Sequence, residues 1–387
     1  MDEKKLIELE KKHIMQTYAR KNVVFEKGKN AFLFDSNGKK YIDFVGAIAT
    51  NSIGYGNAEV AKAIFQQSKK LVNATNLYYT EEQVLLAEKI SKISKMQKCF
   101  FSNSGTEAVE AAIKLARKHT GKKEIIACEN SFHGRTMGAL SLTWKQKYKQ
   151  FCAPLIPQVK HVPFNDVNAL ESAITNETAA FFVEPIQGEG GIIMPSMDYL
   201  LAAYEICQKK EVLFVADEVQ TLLRTGKFFG FQHEKFVPDI VCTAKGIANG
   251  FPIGVTISAE EIDFEKGQHG STFGGNSLAC SAALATVKFI EKNNLVEKAK
   301  EKGNFMLKEL EKMESETLCL KNSRGKGLML AIDSKIEAKK IVEEGLKDGI
   351  VLNAVGDYTL RFLPPLTIEK KEIKAGLEKL EKVLQKV

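Results

Sequence analysis

From about Lys98 onward, short apolar runs at residues 98–101, 124–129, 179–184, 212–217, 239–245 and 253–258 alternate with amphipathic helical stretches. Runs that are apolar at nearly every position predict strands buried on both faces. Their alternation with helices predicts a mostly parallel sheet covered on both sides. Upstream, residues 31–35 and 40–44 flank Asn37-Gly38, the composition of a tight hairpin turn. After Gly275 the pattern changes to a long helical segment, then strands at 327–333, 350–355 and 360–362 with a helix among them, which predicts a second, smaller α/β unit. The tail places Ile373, Leu377, Leu380 and Leu384 on one helical face, a packing stripe. The expected α/β architecture is therefore a large domain, 51–275, on a seven-stranded-type sheet; a small C-terminal domain, 276–387; and an N-terminal segment, 1–50, packing with the small domain. A chain of 387 residues fits that division.

Composition narrows the class. With 44% hydrophobic and 27% charged residues the chain reads as an ordinary globular protein. It contains no apolar run near the roughly 18 residues that span a bilayer, so no membrane association is expected. The start, Met1-Asp2-Glu3-Lys4-Lys5, lacks the apolar core of a signal peptide, and the expected location is cytoplasmic. Seven scattered cysteines without a C-x-x-C pair argue against a disulfide framework, and six histidines without ligand spacing argue against a metal site. The net charge of +7 is spread over lysines interleaved with glutamates, the mark of a solvated surface and not of a nucleic-acid site. Gly54-Tyr-Gly-Asn-Ala-Glu59 lacks the third glycine of a dinucleotide fingerprint and reads as a turn.

Three ionisable residues close successive apolar runs: Glu184, Asp217 and Lys245. In a parallel sheet such positions face the ligand crevice. A lysine set against apolar residues has its amine pKa lowered, leaving it free to attack an aldehyde and form a Schiff base. Pyridoxal 5'-phosphate chemistry requires that amine. It also requires a carboxylate at the pyridine nitrogen, for which Asp217 is the candidate. Taken alone, Asp217 and Lys245 are equally well explained as an ion pair at the sheet edge. The phosphate needs a cradle, and residues 101–107 offer one: a strand, a small-residue turn and a helix starting near Ser104. There Ser104-x-x-Glu107 fits a capping box, and the helix stops at Gly121.

Assembled, these residues resemble the class III aminotransferases of pyridoxal-phosphate fold type I, and among them the acetylornithine aminotransferases. The carriers are Ser104-Gly-Thr-Glu-Ala108, Ser131-Phe-His-Gly-Arg-Thr136, Phe182-Val-Glu-Pro-Ile-Gln-Gly-Glu189, Asp217-Glu-Val-Gln220, Thr243-Ala-Lys-Gly246, His269-Gly-Ser-Thr-Phe-Gly-Gly-Asn276 and Leu360-Arg-Phe-Leu-Pro-Pro365. The resemblance implies that Lys245 holds the cofactor and shuttles the proton, and that Asp217 binds the ring nitrogen. It implies further that Gln220 binds the phenolic oxygen, Phe132 stacks on the ring, and Gly105 and Thr106 bind phosphate. Thr272 would reach the phosphate of the neighbouring subunit, making a homodimer with shared active sites. Arg361 would grip the α-carboxylate of glutamate or 2-oxoglutarate, with Arg135 and Ser271 also at the substrate. Glu184 would pair with Arg361 when the ω-amino substrate is bound.

Two stretches depart from the family: Gly54-Tyr-Gly-Asn-Ala58 replaces its glycine-histidine-x-histidine-proline sequence, and Thr221-Leu-Leu-Arg-Thr-Gly226 is one residue short. The reaction implied moves the δ-amino group of N-acetylornithine to 2-oxoglutarate, in arginine biosynthesis. Aminotransferases of succinyl-diaminopimelate, succinylornithine, ornithine or 4-aminobutyrate share the same cofactor set. So does an aminomutase.

Overall fold

The computed structural model describes residues 3–387; Met1 and Asp2, part of the leader reading above, lie outside the described residues. In chain order the strands are β1 (Phe25–Lys29), β2 (Phe32–Asp35), β3 (Lys40–Asp43), β4 (Lys98–Ser102), β5 (Glu124–Cys128), β6 (Val159–Val162), β7 (Thr178–Val183), β8 (Leu213–Asp217), β9 (Ile240–Thr243), β10 (Gly254–Ser258), β11 (Leu320–Lys326), β12 (Met329–Ser334), β13 (Ile350–Val351), β14 (Asn353–Val355) and β15 (Thr359–Phe362).

The large sheet runs β4-β10-β9-β8-β7-β5-β6. It is parallel from β9 through to β6, and β10 is antiparallel to both β9 and β4. Strands β5, β7, β9 and β10 are buried at every position, as their unbroken apolar runs predict. Alternate residues of β7 feed two separate cores: Phe181 and Val183 join one, Ala180 and Phe182 the other. Each such Phe stabilises the fold by about 1.5–3 kcal/mol. One covering helix, Gly105–Thr120, buries Ala108, Ala111, Ala112 and Ala116, small side chains that let it lie close on the sheet. It stops at Gly121, whose φ of 70° is a left-handed cap suited to glycine.

The Asn37-Gly38 hairpin forms as expected, with Phe32 opposite Ile42. Its sheet, β1-β2-β3-β13, takes its last strand from near the other end of the chain, with Ile350 beside Ile42. A third sheet, β11-β12-β15-β14, is antiparallel. The C-terminal helix, Lys370–Leu384, buries the predicted stripe. At Gly376 it lies so close to the ring of Phe44 that no Cβ would fit without a shift.

Two readings of the runs are corrected, and three strands were not foreseen. Strand β9 ends at Thr243, because Lys245 takes a φ of 43° and opens a short 3-10 turn, Lys245–Ala248. The run 350–355 is two strands in two sheets, parting at Leu352. Strands β1, β6 and β11 carry too little apolar pattern to have been expected: β1 and β11 are mostly exposed or half-buried.

Candidate active site

Beyond the carboxyl ends of β7, β8 and β9 lies a cleft of about 440 Å³. The start of helix Gly105–Thr120 and residues 132–135 also line it. Asp217 is the last residue of β8, Glu184 follows β7, and Lys245 follows β9 by a turn. All three therefore meet in one place, as the crevice rule for parallel sheets demands.

Lys245 is packed closely enough that burial drives its amine below the ordinary lysine range, against the opposing pull of Glu189. Asp217 is buried, and its Oδ2 lies 2.7 Å from His133 Nδ1 while its Oδ1 accepts from the Val219 amide at 3.1 Å. Glu184 is also buried. Its carboxylate accepts from the amides of Phe132 at 2.9 Å and Gly188 at 3.0 Å, and burial raises its pKa to about 7.

Ser104 caps the helix as predicted, accepting from the Glu107 amide at 3.4 Å. Glu107, however, reaches back to the Asn103 amide at 2.6 Å, one residue before the cap. Ser104, Gly105 and Thr106 of this first turn, where helix amides lack intrahelical partners, line the cleft, and a Cβ on Gly105 would come within 2.8 Å of Val219. The Thr106 hydroxyl is 2.8 Å from that of Thr136 and accepts from the Arg135 and Thr136 amides at 3.2 Å, which ties the helix start to the 132–136 loop. Phe132 lines the cleft. Arg135 is exposed, its guanidinium 3.8 Å from the centre of the Tyr148 ring.

The expected pairing of Glu184 with Arg361 is not what the structure holds. Both Glu184 oxygens are taken by backbone amides, and Arg361 pairs instead with Glu189 at 2.5 Å. Arg361, 1% exposed, also donates to Gln220 Oε1 at 3.0 Å, to the Gly188 carbonyl at 3.1 Å and to Asn353 Oδ1 at 2.7 Å. Burial alone would raise the Glu189 pKa, but the Arg361 guanidinium, aided by Lys245 and Gln220, more than offsets it and holds the carboxyl below its usual range. Ser271 and Thr272 stand outside the cleft of this chain. Ser271 Oγ accepts from Asn103 Nδ2 at 3.3 Å; Thr272 is exposed, its carbonyl bound by Asn73. Sequence reasoning missed Glu189 and His133. Each sits inside a motif already singled out, and only their partners across the fold distinguish them.

These residues fit pyridoxal 5'-phosphate: an amine of depressed pKa, a buried carboxylate, an aromatic face, and open amides beside a residue without a side chain. When bound, the cofactor supplies an aldehyde that exchanges amines and a ring that draws electrons from the carbon losing its proton. Among the described residues no cluster of three His, Cys, Asp or Glu is placed to hold a metal, and no helix is long and apolar enough to cross a membrane.

Comparison with known proteins agrees with this chemistry. The chain is 43% identical to the acetylornithine aminotransferase of Methanothermobacter thermautotrophicus over 99% of both chains. It is 44% identical to a putative [LysW]-aminoadipate semialdehyde/glutamate semialdehyde transaminase of Pyrococcus furiosus, over 95% of this chain and 98% of that one. Among solved structures, the ornithine aminotransferase of Toxoplasma gondii, with PLP in partial occupancy at its active site, superposes with a TM-score of 0.96 at 30% identity, covering 100% of this chain and 95% of the other. The aminotransferase class-III family model matches residues 15–384, nearly the whole fold described above. A cleft built for amine exchange thus sits in a chain that belongs to the class III aminotransferases, enzymes that depend on pyridoxal 5'-phosphate.

Proposed function

We propose that this enzyme moves the δ-amino group of N-acetylornithine to 2-oxoglutarate, giving N-acetylglutamate 5-semialdehyde and glutamate, a step of arginine biosynthesis. The observation that carries the reading is the pairing of buried Arg361 with half-buried Glu189 beside the cleft. An arginine that binds glutamate's α-carboxylate needs a neutralising partner when the other substrate brings no carboxylate there. The names of similar proteins, several of them acetylornithine aminotransferases, point the same way. In this reading Lys245 Nζ would carry the proton between the amine-bearing carbon of the substrate and the cofactor. Asp217, oriented by His133, would hold the ring nitrogen, Gln220 the phenolic oxygen, Phe132 the ring face, and Gly105 and Thr106 the phosphate. Arg135 would complete the substrate pocket, and Ser271, outside the cleft of its own chain, would reach the pocket of the neighbouring subunit, as Thr272 would reach the phosphate there.

We also read the enzyme as a cytoplasmic homodimer with shared active sites. Leu77, Tyr79 and Phe273 are 86%, 98% and 63% exposed. Asn73 and Asn76 bond to the carbonyls of residues 271, 272 and 274, so these side chains belong to one apolar surface around Thr272. Seven free thiols suit a reducing compartment. Residues 51–275 would form the cofactor-binding domain and 276–387 the small domain, with 1–50 joined to it through the β3–β13 pairing.

Initial rates on N-acetylornithine, ornithine, succinyl-diaminopimelate and 4-aminobutyrate, each with 2-oxoglutarate, test the substrate. A kcat/KM highest for N-acetylornithine supports it, and a marked preference for 4-aminobutyrate overturns it.

A further inference from the structure

Glu189 sits on a short loop whose ends are joined by a bridge between Gln187 and Ile193. Within it, Gly191 and Ile192 have φ of 107° and 56°. A β-branched residue is strained in that left-handed region and stays there only where its surroundings hold it. The Ile192 side chain is fully buried in a cluster with Ile186, Met329, Ala331 and Leu363, and the backbone of the pair is held by Arg324 of β11, in the third sheet. Its Nε donates to the carbonyls of Gly191 at 3.1 Å and Ile192 at 3.2 Å, and its Nη2 to Gly191 again at 2.7 Å. The guanidinium is in turn fixed by Asp333 Oδ1 at 2.9 Å, which accepts from the Thr359 hydroxyl at 2.7 Å. Thr359 lies two residues before Arg361 on β15. One strand therefore steadies both ends of the Glu189–Arg361 contact: Arg361 meets the carboxylate directly, and Thr359 supports the arginine that holds the loop. Elsewhere the loop is touched by Lys145 at the Glu189 carbonyl, 3.1 Å, by Arg361 at the Gly188 carbonyl, 3.1 Å, and by Glu184 at the Gly188 amide, 3.0 Å. None of these hydrogen bonds reaches the strained pair.

We propose that Arg324 is a positioning residue that holds the 188–192 loop so that Glu189 meets Arg361, and thereby sets how the enzyme divides its efficiency between a substrate with a carboxylate at Arg361 and one without. This rests on the reading of Glu189 and Arg361 as an exchangeable pair. With Arg324 in place, Glu189 leaves Arg361 by side-chain rotation over a fixed backbone. Without it, Ile192 relaxes, the loop shifts, and Arg361 is left open to carboxylates more of the time.

The test compares kcat/KM of the two half-reactions in the holoenzyme, glutamate against N-acetylornithine, followed by cofactor absorbance. Arg324→Ala is expected to move that ratio towards glutamate by about tenfold, the scale of losing hydrogen bonds to a charged group. Arg324→Lys, which cannot fork, should fall between. Glu189→Gln should produce the same shift, and adding Arg324→Ala to it should produce little more. Equal loss in both half-reactions, or full additivity in the double variant, overturns the positioning role. If Glu189→Gln leaves the ratio unchanged, the exchangeable-pair reading itself is wrong, an outcome separate from failure at Arg324. Should Arg324→Ala fail to fold, Asp333→Asn loosens the same guanidinium; no shift towards glutamate in that variant overturns the proposal equally.

Discussion

His133 Nδ1 lies 2.7 Å from Asp217 Oδ2, and both side chains are shut off from water. The other ring nitrogen, Nε2, is buried without a partner. A proton on Nδ1 lets the ring donate to the carboxylate and fixes the imidazole beside Asp217.

Replacing His133 with Phe should therefore lower kcat by on the order of tenfold, the loss of one charge-assisted hydrogen bond. His133→Asn, which keeps a donor, should recover part of it. Steady-state rates at saturating substrate decide the matter; an unchanged kcat in His133→Phe would deny the histidine any part in orienting Asp217.

Lys245 has the one amine in the cleft lowered by burial. Lys245→Ala should cut turnover by on the order of 10²–10⁴ and leave purified protein without the yellow colour of the bound cofactor. Lys245→Arg keeps the charge but has no neutral amine at working pH, so it should be as inactive.

Gly105 has no room for a side chain, since a Cβ would press on both methyls of Val219, at 2.8 and 2.9 Å. Gly105→Ala should weaken cofactor binding by about tenfold or more, because the helix start must move away from the cleft. Alanine favours the helix by up to about 1 kcal/mol, so the fold itself should not suffer to match. Titrating apoenzyme with pyridoxal 5'-phosphate beside a thermal melt separates the two effects.

Glu218 is fully buried, accepting from the amides of Gly230 and Phe231 and from the Thr221 hydroxyl, and burial raises its pKa to about 7 from 4.5. A folded-state value above the unfolded one means that the native protein holds the extra proton. Its contribution to stability is complete below about pH 4.5 and is lost as pH rises through about 7. Glu218→Gln should reduce the fall in melting temperature across that window, leaving the part due to Glu184, which burial also raises to about 7, while lowering the melting temperature at the acid end, where the amide replaces one acceptor poorly. His161 and His233, depressed to about 4 by burial, act in the opposite sense and are common to both proteins. A wild-type slope identical to the variant's would rule Glu218 out as the cause.

Tyr79→Asp combined with Phe273→Asp places two charges on the exposed apolar surface around Thr272. Sedimentation should show the wild type as a dimer and the variant as a monomer, with activity lost alongside. A variant that remains dimeric would move the interface elsewhere.

The buried strands were legible because burial on both faces leaves an unbroken apolar run, as in β5 and β7. Strand-end chemistry was legible for the same reason: a charge closing such a run, as at Asp217, stands out. What stayed hidden depends on contacts remote in sequence. Glu184 and Glu189 share one motif, and nothing local tells which carboxylate meets Arg361. That is settled by the loop reversing at the Gln187–Ile193 bridge and by a strand in another sheet. The split of 350–355 was equally silent, since it arises from Ile350 and Asn353 finding neighbours in different sheets.

The parallel pairing of Ile350 with Ile42 carries a consequence for how the chain is made. During synthesis the amino-terminal hairpin emerges with one edge bare, and its missing neighbour is still untranslated until almost all of the polypeptide has left the ribosome. Completion of that small sheet is thus a late event of assembly, and shortening the protein from its carboxyl side past Ile350 would strand the hairpin as an adhesive edge.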